Sequence, residues 1–166
     1  MTRIVGAQAV VLDDDRLVLL QLRGWPPGWE PPGGHVGEGE DPALTVVRET
    51  REECGLEIEI DRLIGHYHFR GIRIGTDAVY LAHPVGGRLR PTKEALSLRW
   101  ASPERLPRAL FPWYRQRILD ALAPPGEGPQ ERWQAVGPGQ VLGHGAALTA
   151  ELGAALGGMV GNGRRR

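Results

Sequence analysis

Ten of the nineteen residues in the stretch 23–41, RGWPPGWEPPGGHVGEGED, are proline or glycine. The prolines lack amide donors and fix φ, and the glycines loosen what lies between, so no regular helix can run through. A shaped loop around one short strand is predicted here. Ahead of it, residues 4–11 and 16–22 are rich in β-branched and aliphatic side chains, with DDD between them. That pattern predicts two strands paired as a hairpin. Behind the loop, Asp41 and Pro42 are a favoured N-cap and first helical residue, and Gly55 offers a left-handed stop. A helix is expected from one signal to the other.

Within that helix, residues 48–55 read RETREECG. At about 100° per residue, Ala43, Val47, Thr50 and Cys54 fall on one face, the expected buried stripe. Cys54 then reads as a small apolar filler rather than a nucleophile. Glu49, Glu52 and Glu53 share a side centred about 135° away. A solvated helix face would explain some of this charge, with Arg48 and Glu52 paired at i,i+4 for a few tenths of a kcal/mol. It does not explain three like charges at i, i+3 and i+4, which repel unless neutralised. A hard divalent cation, Mg²⁺ or Mn²⁺, is what carboxylate oxygens select, its shell completed by water and phosphate. Glycines 33, 34, 37 and 39, just upstream, let backbone groups approach such a phosphate closely.

Gly34, five residues, Glu40, seven residues, and then Arg48, Glu49, Thr50, Arg51, Glu52, Glu53, Cys54, Gly55 and Leu56 resemble the Nudix box. Thr50, at a position the box gives to an aliphatic residue, is the one departure. The resemblance implies an α/β fold, an α/β/α sandwich in which a mixed β-sheet is held between helices. It also implies metal-dependent hydrolysis of a nucleoside diphosphate linked to another moiety. Carried over position by position, Glu49, Glu52 and Glu53 would bind Mg²⁺ or Mn²⁺, with the Gly34 carbonyl as a further ligand. Arg48 would orient Glu49, and Glu40 would hold the loop or an outer metal. In some family members the glutamate matching Glu49 is the general base, and in others a glutamate outside the box is; Glu94 is the candidate for that outside role.

Arg23, Trp25 and Trp29 flank the glycine-rich loop, where an indole can stack on a base or sugar and a guanidinium can reach a phosphate. Arg70 and Arg73 are further candidate phosphate contacts. His66 and His68 alternate with Tyr67 on one strand face and read as surface or satisfied histidines. A proline that marks ADP-ribose-cleaving relatives falls near Ile72 here, with no proline close by. A tyrosine that marks dinucleoside polyphosphate hydrolases is replaced by Arg73 and Ile74. By elimination, a nucleoside triphosphate or a nucleotide sugar is expected, with a lean to the first. The alternative from another class is a regulator that binds a nucleotide without cleaving it; the intact set of carboxylates weighs against it. An isoprenoid diphosphate isomerase would need an upstream cysteine, and Cys54 is the only one.

Strands are further expected at 57–64, 67–74, 77–84 and 96–101, and a second helix at 112–122. Residues 1–123 are read as the catalytic domain. Residues 124–166 are read as a linker and Gly/Ala-rich extension, where Leu148, Leu152 and Leu156 line a short helix that buries against its own domain or in a homodimer. The 20 basic and 20 acidic side chains balance. No overall field draws the chain to nucleic acid or an anionic membrane. With one cysteine and no long apolar run, a cytoplasmic location is expected.

Overall fold

The computed structural model describes residues 3–161, with side chains described as far as Glu151. Eight strands and three α-helices follow in chain order: β1 (Ile4–Val11), β2 (Val18–Arg23), β3 (Gly28–Glu30), β4 (Gly33–His35), α1 (Pro42–Cys54), β5 (Leu56–Gly71), β6 (Gly75–Gly87), β7 (Ala95–Ala101), α2 (Pro112–Leu122), β8 (Gln130–Val136) and α3 (Pro138–Gly161). They build a five-stranded mixed sheet, β4-β1-β6-β5-β8, and a three-stranded sheet, β3-β2-β7. In the larger sheet, β1 runs parallel to β6 and β5 parallel to β8. Val46 and Cys54 of α1 join one buried cluster, and Tyr114, Ile118 and Ala121 of α2 join another. Both faces are thus covered by helices, giving the α/β/α sandwich expected of the sequence.

Helix α1 starts and stops where its signals lie. The Asp41 carboxylate accepts from the Ala43 amide at 2.8 Å, and Gly55, at φ 76°, donates to the Arg51 carbonyl. The buried stripe is turned from the expected one: Val46, Thr50, Glu53 and Cys54 are buried, while Ala43 and Val47 are only half-buried. Thr50 tolerates its site because its hydroxyl donates to the Val46 carbonyl at 2.8 Å, leaving a methyl for the core.

Other expectations are corrected. Strands β1 and β2 are not a hairpin. A turn at Asp13 separates them, a single bridge links Leu12 to Val18, and they lie in different sheets. The reason is burial. Most of β1 is covered on both faces, so it takes an interior place in a sheet and pairs on both edges, with β4 and β6. The loop between β2 and α1 contains two short strands rather than one. The strands expected at 57–64 and 67–74 are one 16-residue strand, β5, whose bulges change which parity faces each core. Gly65 sits within it because a Cβ there would overlap the Gln130 backbone of β8. The segment beyond 123, expected as linker and extension, holds β8 and the 24-residue helix α3. Leu148 packs against the chain's own core, whereas the side chains of Leu152 and Leu156 lie outside the described residues. Among the described residues, no helix is long and apolar enough to cross a membrane.

Candidate active site

The cap and stop that fix α1 also fix where its charges go, beside a cavity of about 710 Å³ lined by β1, β4, β6, α1 and the loops around Trp25 and Glu94. Arg48 organises the acidic residues. Its guanidinium forks onto Glu40 with bonds of 3.0 and 3.2 Å, and Nη1 donates to Glu49 at 2.9 Å and Glu52 at 3.3 Å. A planar fork that bridges three carboxylates is something lysine cannot supply. Arg48, and then the Gly37 amide at 3.0 Å, pull the Glu40 carboxyl down to about 2. Glu40 thereby fastens the loop to the helix.

Glu53 turns inward and accepts the Gly33 amide at 3.0 Å, which ties α1 to β4. Burial pushes its carboxyl up to about 7, with Glu30 and Glu49 adding to the rise and the Gly33 amide and Gln21 opposing it. Glu30 is held above the usual carboxylate range by burial, in spite of Arg23 at 3.6 Å. Gly34 lies directly against Glu49, and a Cβ at that position would overlap the carboxylate. A glycine is needed there so that backbone and carboxylate can sit side by side.

Asp77 of β6 reaches the cavity with one oxygen on Arg73 at 2.9 Å and the other on Arg117 at 3.0 Å. Arg117 is 0% exposed and also donates to Gln8 at 3.1 Å and Gln134 at 3.2 Å. It lies about 5 Å from the rings of Tyr67, Phe69 and Tyr114. This arginine is a fixed cationic post behind the cavity wall rather than a mobile contact.

Of the residues expected at the site, Glu49, Glu53, Gly34, Arg23, Trp25 and Glu94 line the cavity. Arg48 and Glu40 stand behind them. Glu52 does not share the cavity wall; its side chain is 61% exposed and turned onto Arg48. The expectation that three carboxylates share one side therefore resolves into Glu53 inward, Glu49 at the wall and Glu52 at the rim. Trp29 does not reach the cavity as a stacking platform. It is 8% exposed, under the Arg99 guanidinium at 4.1 Å. Arg70 also lies elsewhere, over Trp133 at 4.0 Å. His66 and His68 are satisfied by Glu131 at 2.8 and 2.6 Å, as surface histidines would be. Sequence reasoning missed Glu30, Asp77, Lys93 and Tyr114, all of which line the cavity. Asp77 carried a signal, a lone carboxylate opening the apolar run DAVYLA. Tyr114 carried none, since it reads as an ordinary core aromatic of α2.

The donor set suits a hard cation. Glu49 and Glu53 offer oxygens to one cavity that Glu30 also lines, and burial, the first cause of the raised Glu53 pKa, favours the neutral acid there until a cation offsets it. Among the described residues, no three His, Cys, Asp or Glu side chains are drawn together as a finished metal site. The third box carboxylate, Glu52, is held on Arg48 instead.

Residues 2–122 match the family model of the NUDIX domain. Over 128 residues the chain is 36% identical to a MutT-like protein of Streptomyces ambofaciens, spanning 76% of this chain and 79% of that one. Over 115 residues it is 31% identical to a Bacillus subtilis protein named "Putative 8-oxo-dGTP diphosphatase", spanning 69% of this chain and 77% of that one. An ADP-ribose pyrophosphatase from Streptococcus suis has the same fold, with a TM-score of 0.60 at 23% identity, covering 78% of this chain and 97% of that one.

Proposed function

The chain belongs to the NUDIX domain family and is a hydrolase of that family, and from that premise we propose that it cleaves a phosphoanhydride bond in a nucleoside triphosphate with the help of Mg²⁺ or Mn²⁺. One observation carries the reading: α1 delivers Glu49 and Glu53 to the same cavity that receives the Gly33–Gly34 backbone and the cations Arg23, Arg73 and Lys93. Glu49, Glu53 and the Gly34 carbonyl would hold the metal, and Glu52 would join on leaving Arg48. A bound divalent cation supplies charge neutralisation at the phosphate oxygens and a more acidic water.

The chain's own residues do the rest. Arg48 keeps Glu49 against Gly34 by its 2.9 Å bond, so the carboxylate meets substrate already oriented. Arg23, Arg73 and Lys93 bind the phosphate chain, and Trp25, 83% exposed at the cavity, offers its indole face to the base. Glu49 takes the proton from the attacking water, or Glu94 does so from the facing loop. A nucleoside triphosphate is preferred to a nucleotide sugar because three cationic side chains line the cavity. The name of the Bacillus subtilis relative points the same way.

The test is turnover of a panel of nucleoside triphosphates, nucleotide sugars and dinucleotides with Mg²⁺ or Mn²⁺, in wild type, Glu49→Gln and Glu53→Gln. Triphosphate cleavage that drops by about 100-fold or more in both variants is expected. Cleavage that survives both substitutions would overturn the site. Tight nucleotide binding with no turnover of any panel member would point to the regulator instead.

A further inference from the structure

Helix α3 presents His144, Leu148 and Glu151, at i, i+4 and i+7, as one face, and that face packs against Pro27 at the end of the β2–β3 loop, Trp29 of β3 and residues 109–111. His144 Nε2 donates to the Pro27 carbonyl at 2.8 Å, and its ring stacks on Phe111 with centroids 4.0 Å apart. Leu148 packs into the core cluster that contains Trp29 and Phe111. The Glu151 carboxylate gathers three donors: the Trp29 indole N–H at 3.2 Å, Arg99 at 3.4 Å and the Ala109 amide at 3.0 Å. Trp29 is meanwhile clasped by the segment just before α2, donating to the Ala109 carbonyl at 2.8 Å and accepting from the Phe111 amide at 3.1 Å. Residues 27–29 are therefore fixed from two sides.

Those residues lie between pieces of cavity wall. Arg23, Gly24 and Trp25 line the cavity just before them, and Glu30 lines it just after. Arg23 Nε donates to the Trp25 carbonyl at 2.9 Å, which ties the Arg23 side chain to the backbone of the same loop. Trp25 itself is exposed and has little holding it other than this loop.

We propose that α3 is a clamp on the substrate-binding loop and that Glu151 is its positioning residue, setting where Arg23 and Trp25 stand without touching substrate. The proposal rests on the reading of the cavity as a nucleotide site. It assigns α3, which lies outside the residues that supply the chemistry, a share in affinity rather than in turnover.

Full-length wild type, Glu151→Ala, Glu151→Gln and Trp29→Phe are compared in two assays. One is steady-state kinetics on the triphosphate that wild type cleaves best; the other is amide hydrogen exchange of the peptide covering residues 23–30. Glu151→Ala is expected to raise KM about tenfold, with kcat within about twofold of wild type, and to speed exchange in that peptide. Glu151→Gln, which keeps one carbonyl acceptor, and Trp29→Phe, which removes the indole donor and trims the ring, fall between. Should Glu151→Ala fail to fold, these two carry the test. Unchanged KM, or unchanged exchange at 23–30, overturns the clamp, and so does a lowered melting temperature with wild-type kinetics. Failure of the nucleotide reading would appear in wild type itself, whereas failure of the clamp appears only as the absence of a difference between variant and wild type.

Discussion

Replacing Asp77 with asparagine should cost more than replacing its partner Arg117 with methionine, although the two are joined by one 3.0 Å bond. Arg117 is 0% exposed, and the Asp77 side chain is nearly as deep. Asp77→Asn removes the counter-charge and leaves a buried guanidinium among neutral partners only: the introduced amide oxygen, those of Gln8 and Gln134, and three aromatic faces. Breaking a buried pair from one side in this way costs about 3–5 kcal/mol. Arg117→Met leaves a different remainder. The other Asp77 oxygen still has Arg73 at 2.9 Å, whose side chain is 43% exposed, so the carboxylate keeps a cation and some access to water. The cost there is the lost hydrogen bonds, about 2 kcal/mol. The double variant should cost clearly less than the sum, because the charge stranded by the first change is removed by the second. Urea unfolding followed by circular dichroism, with m-values checked for constancy, reads all three. Asp77→Asn costing less than about 1 kcal/mol, or strict additivity, would refute the argument that Asp77 is the counter-charge that permits Arg117 to be buried.

In chelator, the metal-free protein should lose stability as pH rises from 4.5 to 7, because Glu53 holds its proton more tightly folded (about 7) than unfolded (4.5). At about 1.4 kcal/mol per pH unit the loss approaches roughly 3 kcal/mol, and Glu53→Gln should abolish this part of the pH dependence. A wild-type urea midpoint that does not fall relative to Glu53→Gln over that range would contradict the sign. Gly34→Ala should keep the fold and reduce turnover by about tenfold or more, since the added methyl displaces the Glu49 carboxylate; wild-type kcat/KM in that variant would remove the argument for a glycine there. Gly65→Ala should destabilise by about 1–3 kcal/mol, because its methyl meets the backbone of Gln130 rather than a movable side chain. A thermal melt within a degree or two of wild type would show that β8 yields freely.

What the sequence makes legible are the features set by local chemistry. Asp41, Pro42 and Gly55 bound α1 because a cap, a fixed φ and a left-handed stop each act over a turn of chain. Residues 112–122 are likewise legible as α2. The box places Glu49, Glu53 and Gly34 at one cavity because its spacing is local to a loop and one helix. The hairpin reading of β1 and β2 fails because pairing is decided by which strand is covered on both faces, a property of the whole sheet. Trp29 looks like a stacking platform in isolation, but it is buried in the core under Arg99, with its indole N–H on Glu151, 122 residues away. Strand β8 hides in QERWQAV because its inward positions are the polar Gln130, Arg132 and Gln134 while Trp133 faces out, so only its pairing with β5 identifies it as a strand. Glu30, set between a tryptophan and two prolines, gives no local hint that it will be buried beside Glu53.

The parallel pairing of β5 with β8, from Gly65↔Gln130 to Gly71↔Val136, bears on the order in which the molecule is assembled. A chain emerging from the ribosome makes its early strands long before β8 exists, and a pairing across so many residues carries a loop-closure cost that local contacts do not. Arg117 must wait for Gln134, on that late strand, to complete its shell of acceptors. Until then a nascent chain can have both of its box-bearing neighbours, β4 and α1, in place and still carry an unfinished cationic post behind the cavity. The support behind the cavity wall is thus complete only with β8, and a chain stalled before that strand would lack the Gln134 bond to Arg117.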